Sequence, residues 1–264
     1  MTTATNRYLR IIEAVFAKRY RAGHREVAFD RSDLVTAAEE LGIALPKNLG
    51  DVLYSLRYRM SLPDNIVATA PQGCAWIIRP SGRGRYRFTL VAEVEIVPSP
   101  ALIETKIPDA TPGIINLYAL NDEQALLAKI RYNRLVDLFT GLTCYSLQNH
   151  LRTAIRGVGQ VETDEMYIGI DKRGVHFVLP IQANRQSDRI GVVQIEQDIA
   201  VCAAKFPGLT CRPIAAQSIA SDTVALFELQ HTEAGIRVLC EKHYRLVPPD
   251  QLTPEEVSAY RQSD

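Results

Sequence analysis

Two apolar runs joined by D-K-R-G constrain this chain most: QVETDEMYIGI (160–170) and VHFVLPIQA (175–183). Each has strand length, and the connection offers K-R-G with glycine last. A three-residue loop closed by Gly174 in the left-handed region predicts a hairpin with Asp171 opposite Val175. Counting back, Asp164 faces Gln182 and Glu162 faces Asn184, all four on one face. A two-residue turn would pair Asp171 with Gly174, slip the register by one and send the amides to the other face. Alternation places Glu162 and Asp164 in the row of Met166, Ile168 and Ile170, a row apolar enough for the core. Carboxylates at the end of such a row are costly unless a metal or a cation neutralises them. Glu165, on the opposite row, is expected to meet solvent.

With 264 residues the chain can form one large domain or two modest ones. No apolar run approaches the ~20 residues that span a bilayer. The amphipathic start, MTTATNRYLRIIEAVFAKRY, has no signal-peptide pattern. Cys74, Cys144, Cys202, Cys211 and Cys240 are scattered, without a C-x-x-C pair, which argues against a disulfide framework or a zinc site. These features point to a cytoplasmic protein without a membrane partner. Net charge is zero, but residues 1–90 carry 14 Lys/Arg against 8 Asp/Glu and the remainder 16 against 22. A basic half beside an acidic half suits one part that touches polyanions and another that gathers carboxylates. No phosphate-binding glycine motif follows a strand, and the five histidines form no H-E-x-x-H.

The proline-bearing stretch 97–113 divides the chain. Before it, helices are predicted over 7–20, over 29–43 with Asp30 or Ser32 as cap, and over 46–63; strands over 65–80 and 84–91 surround the turn S-G-R-G. Three helices and a two-stranded wing resemble a winged helix-turn-helix. That likeness implies contact with double-stranded DNA. Candidates are Lys47, Asn48, Tyr54, Arg57 and Tyr58 on or near the third helix, and Arg83, Arg85 and Arg87 on the wing. Beyond the stretch, 121–155 reads as helical with a break near Gly141. The two hairpin strands, a helix over 187–207 and strands over 209–219 and 223–230 come next. The tail, 245–264, reads as polar and loosely packed.

This order, with Asp164 on one hairpin strand and Gln182-x-Asn184 on the next, resembles the PD-(D/E)XK, or restriction-endonuclease-like, nucleases. The likeness implies an α/β (α+β) protein with four segments: a winged-helix domain (1–96), a linker (97–115), an αββαββ nuclease domain with a mixed sheet (116–247) and a tail (248–264). It implies a magnesium- or manganese-dependent DNA endonuclease acting as a homodimer. Asp164, Glu162 and Gln182 would be the metal ligands, and Asn184 would contact water or phosphate. Gln182 stands where the family has an acid and Asn184 where it has lysine. Arg185 and Arg189 could restore positive charge, Gln194 with Gln197 or Asp198 on its helix face could support the strands, and Arg131 and Arg134 could meet phosphate. The departures leave open an inactive nuclease fold that only binds DNA.

Overall fold

The computed structural model describes residues 3–46, 49–58, 60–92, 96–119, 123–186, 188, 190–233 and 235–261. Lys47, Asn48 and Arg189 lie outside them, as does the Tyr58 side chain. In the first part, α1 (Thr3–Arg19) is followed by β1 (Glu26–Asp30), α2 (Arg31–Glu40), α3 (Leu49–Tyr58), the short α4 (Asp64–Val67) and a hairpin of β2 (Cys74–Pro80) and β3 (Arg85–Ala92). The three strands form one sheet in the order β1-β3-β2. Asp30 caps α2, and the Asp33 carboxylate accepts the Asp30 N–H at 2.7 Å, so the turn is closed from both sides. The helices bury Ile11, Ile12, Val15 and Phe16 of α1, Leu34 of α2, and Val52, Leu53 and Leu56 of α3 against the sheet. Phe88 lies at the centre, its ring 4.9 Å from those of Phe16 and Phe29. Residues 65–67, read as the start of a strand, instead belong to the helical turn Asp64–Val67 behind Pro63.

The second part is a three-layer sandwich on a mixed sheet. Its strands are β4 (Glu104–Pro108), β5 (Thr143–Ile155), β6 (Gly159–Ile170), β7 (His176–Asn184), β8 (Thr210–Cys211), β9 (Ile214–Ser218), β10 (Thr223–Thr232) and β11 (Gly235–Val247). The order is β4-β11-β10-β9-β7-β6-β5, with β8 beside β7. Pairs β4–β11, β7–β9 and β7–β8 are parallel and the rest antiparallel. On one face lie α6 (Glu123–Tyr132) and α7 (Leu135–Thr140), preceded by α5 (Gly113–Tyr118). Their Leu127, Ile130 and Leu135 pack on Leu179, Ile181, Ile214 and Leu226. On the other face α8 (Val192–Lys205) buries Ile195, Val201 and Cys202 against Ala215, Phe227, Met166 and Val178. The central strands are therefore covered on both sides, which explains why V-L-P-I reads as a continuous apolar run. Among the described residues no helix is long and apolar enough to cross a membrane.

Four expectations need correction. Residues 143–155 are a thirteen-residue strand, not a helix. Leu147, Leu151 and Ile155, four apart, satisfy helical and strand periods alike. Gly141, at φ 69°, ends α7, and the open edge of β6 recruits the next segment as a strand. The linker is no spacer, because Glu104–Pro108 pairs in parallel with β11. Residues 235–247, unassigned in the sequence, form β11, which extends the expected αββαββ order. The tail packs rather than trails: α9 (Pro254–Tyr260), behind a short 3-10 turn (Pro249–Gln251), places Tyr260 Oη to accept the Lys106 N–H at 3.0 Å and pairs Glu256 with the Lys106 ammonium at 2.6 Å.

The two parts meet at α8. Arg79 of β2 makes a two-pronged pair with Glu196, Nε to Oε2 at 2.9 Å and Nη2 to Oε1. Helix α3 also abuts α8.

Candidate functional site

The hairpin closes as its glycine requires. Asp171 N–H donates to the Val175 carbonyl at 3.1 Å and Gly174 N–H to the Asp171 carbonyl at 3.0 Å, with Gly174 at φ 82°. The Asp171 carboxylate accepts the Arg173 and Val175 N–H groups at 2.8 and 2.9 Å. From this turn the ladder runs from Ile170–His176 to Glu165–Ile181. The same count sets Asp164 level with Gln182 and Glu162 level with Asn184, in the predicted register.

Beyond Glu165 and Ile181 side chains take over from the ladder. The Asp164 carboxylate accepts the Ala183 N–H at 2.8 Å, and Gln182 Nε2 donates to the Glu162 carbonyl at 3.3 Å. The strands thus open at Asp164. Alternation changes phase at the same place. Thr163 donates to Asp198 of α8 at 2.5 Å, and Met166 packs on Val201 and Cys202 of that helix, yet Glu165 meets Arg131 of α6. Local irregularities of this kind re-aim side chains next to sites. The expectation that Glu162, Asp164, Gln182 and Asn184 share one face fails for this reason. Gln182, buried, turns to α8 and donates to Asp198 at 2.9 Å, while the Asp164 carboxylate fills the seam.

Each carboxylate has its own setting. Burial raises Asp164 to about 6; the Ala183 N–H opposes this, Glu123 and Glu162 reinforce it, and His150 lowers it. Burial raises Asp198 to about 7, against the bonds from Thr163 and Gln182 and with the Asp164 charge. Glu162 pairs with Arg152 at 3.0 Å and has His150 Nδ1 at 3.6 Å. Glu165, expected in solvent, is fully buried and paired with Arg131 at 2.9 Å, with Ser146 donating to it as well. Among the described residues, no three His, Cys, Asp or Glu side chains stand together as a metal cage.

The structure redistributes the remaining candidates. Arg131 is held by Glu165 and Asn149, while Arg134, largely exposed, pairs with Asp137 three residues on. Gln194 sets its amide beside Gly191 at the start of α8, and Asp198 is the residue of this helix that bonds Gln182 and Thr163. Arg87 pairs with Glu26 at 3.2 Å and donates to Ser81, while Arg83 and Arg85 are exposed. Arg83 sits in the turn and not on the strand with the others. Tyr54 is exposed and Arg57 half-buried on α3. Asn184 and Arg185 lie where β7 ends. Sequence reasoning missed Thr163 and the buried role of Glu165. Both lie in the polar stretch E-T-D-E, where nothing local marks either as buried.

No family model, curated protein or solved structure matches the chain.

Asp198 yields a prediction with a definite sign. Its folded value lies above the ordinary 3.8, so folding binds a proton between the two values. Stability is therefore fully present below about 4, falls as pH rises towards about 7, and stays reduced above. Asn accepts from Gln182 and donates to Thr163 without a charge. Asp198→Asn is expected to match the unsubstituted protein near pH 4 and to exceed it at pH 8 by on the order of 2–4 kcal/mol. Tm measured across pH checks this, and equal curves at pH 8 would refute it.

Proposed function

We propose that the chain is a metal-dependent DNA endonuclease, with a winged helix-turn-helix before a restriction-endonuclease-like domain. The observation that carries this reading is the opening of the β6–β7 ladder at Asp164, within the order α7, β5, the β6–β7 hairpin, α8 and a further strand, β9, parallel to β7. The helix–strand–helix–helix–hairpin order of the first part and its exposed Arg83 and Arg85 support the DNA-binding half.

The donor set suits magnesium better than a tighter-binding ion. Magnesium keeps several waters and binds through one or two carboxylates together with substrate phosphate. Asp164 is the carboxylate that would hold it. Like charge from Glu123 and Glu162 already disfavours bare ionised Asp164, a cost that a dication would offset. Glu162 would have to leave Arg152, and Gln182 can offer only a neutral oxygen. When bound, such an ion acidifies water and polarises the phosphate. Ala183 N–H fixes the Asp164 carboxylate, while Asp198 and Thr163 fix Gln182 from behind.

One observation favours a second reading, an inactive nuclease fold that binds DNA. The Gln182 amide is engaged by Asp198 and the Glu162 carbonyl, and β7 ends in Asn184, which carries no positive charge. Asn184→Lys separates the two. If the site works weakly for lack of a cation, plasmid cleavage in magnesium is expected to rise about tenfold or more. If neither protein cuts any DNA in a varied panel, the endonuclease reading fails and the binding reading stands.

A further inference from the structure

A cavity of about 410 Å³ opens where parallel strands β7 and β9 end, against the first turns of α6. That volume falls within the range of small-ligand sites, roughly 300–1,000 Å³. Its place also fits, since open α/β sheets receive ligands at the carboxyl ends of parallel strands. Lys129 and Arg185 bring two positive charges to its lining, and no carboxylate is among the described lining residues. Lys129 spends one of its three donors on the Ser221 carbonyl, and no ion pair holds Arg185 among the described residues. Asn184 and Ser218 add hydrogen-bonding groups, and Leu126 and Val224 form an apolar wall. The loop carrying Arg185 is braced from below. Buried Gln217 donates through Nε2 to the carbonyls of Arg185, Gln186 and Asp188 at 3.1, 3.4 and 2.8 Å. The cavity is thus cationic and partly apolar, with its loop held in place. It begins one residue beyond Ala183, whose N–H holds Asp164.

We propose that this cavity seats one nucleotide of a nucleic-acid strand, its phosphate between Lys129 and Arg185 and its sugar and base against Leu126 and Val224. The choice of a strand over a free nucleotide rests on the nuclease reading; the seat itself does not. Bidentate and point-charge cations together suit a phosphate oxygen set, and a base or sugar face suits an aliphatic wall.

The test titrates the full chain in EDTA with the dinucleotide TpT, thymidine 5′-monophosphate, thymidine and inorganic phosphate, following amide shifts and heat. TpT is expected to bind near the millimolar range and to shift the amides of Leu126, Lys129, Ser218 and Val224. Thymidine and inorganic phosphate are expected to bind at least tenfold more weakly. Lys129→Gln and Arg185→Gln are each expected to weaken TpT about tenfold, and Arg173→Gln, in the β6–β7 turn, to leave it unchanged. Absence of shifts at those amides, or unchanged affinity in both variants at unchanged Tm, overturns the seat. Inorganic phosphate binding as well as TpT overturns the nucleotide assignment. The monophosphate binding much more tightly than TpT overturns the strand. Because the titration needs no metal, TpT binding in EDTA with no DNA cleavage in magnesium keeps this seat and sinks the nuclease reading, and cleavage in magnesium without TpT binding does the reverse.

Discussion

Arg131→Met is expected to destabilise the protein by about 3 kcal/mol. Glu165 is fully buried, and its carboxylate is held by Arg131 from α6 and by Ser146 from the neighbouring strand. Removing one member of such a pair leaves an uncompensated charge in the core, which costs about 3–5 kcal/mol, and the lower figure fits because Arg131 itself is partly exposed. Methionine keeps the apolar stem, so lost charge and not lost volume is what the variant reports. For a chain of this size the loss amounts to roughly 6–12 °C in Tm. The double variant Arg131→Met/Glu165→Met is expected to recover most of it, because an apolar pair carries no stranded charge. Thermal unfolding of the two singles and the double gives the coupling directly. A double variant no more stable than Arg131→Met would show that the pair is not what makes Arg131 matter.

Asp164→Asn carries the largest expected effect on activity. Loss of the carboxylate at the strand opening is expected to lower metal-dependent cleavage by about a thousandfold or more, which corresponds to about 4 kcal/mol of lost transition-state stabilisation. The fold should survive, because asparagine still accepts the Ala183 N–H and removes a half-buried charge. At pH 8 its Tm is expected to equal or exceed that of the unsubstituted protein. The sign follows from the raised value of about 6: the ionised form is disfavoured in the fold, and that cost is present above pH 6. For the same reason metal affinity should rise as pH passes through about 6 and level off above it. Magnesium or manganese should raise the Tm of the unsubstituted protein by mass action and not that of the variant. Inactivity accompanied by a fall in Tm would mean a folding defect, not loss of a metal ligand.

The hairpin was legible because one glycine at a fixed offset decides between two registers, and Gly174 sits where the three-residue loop needs it. Local signals also located α1, α2, α3 and α8. The hidden features depend on distant partners. The spacing of Leu147, Leu151 and Ile155 fits a helix and a strand equally, and only the free edge of β6 settles it. A left-handed His150 at φ 47° and a register shift between Ser146 and Gln148 blur the alternation further. Glu165 looked solvent-facing because its counter-ion lies 34 residues away on another element. The phase change at Asp164 follows from the Ala183 N–H turning to a side chain, which period two does not encode. Sequence therefore named Asp164 and Gln182 and set them level. It did not show that one lies in the seam while the other is braced against Asp198.

The most direct test is DNA cleavage by the unsubstituted chain, in magnesium, in manganese and in EDTA, on a varied panel of plasmid and phage DNA beside Asp164→Asn. The expected result is cutting that needs the metal and disappears in Asp164→Asn, with both proteins folded and both still binding DNA. Cutting that persists undiminished in Asp164→Asn, or folded unsubstituted protein that binds this DNA and cuts none of it, would contradict the account.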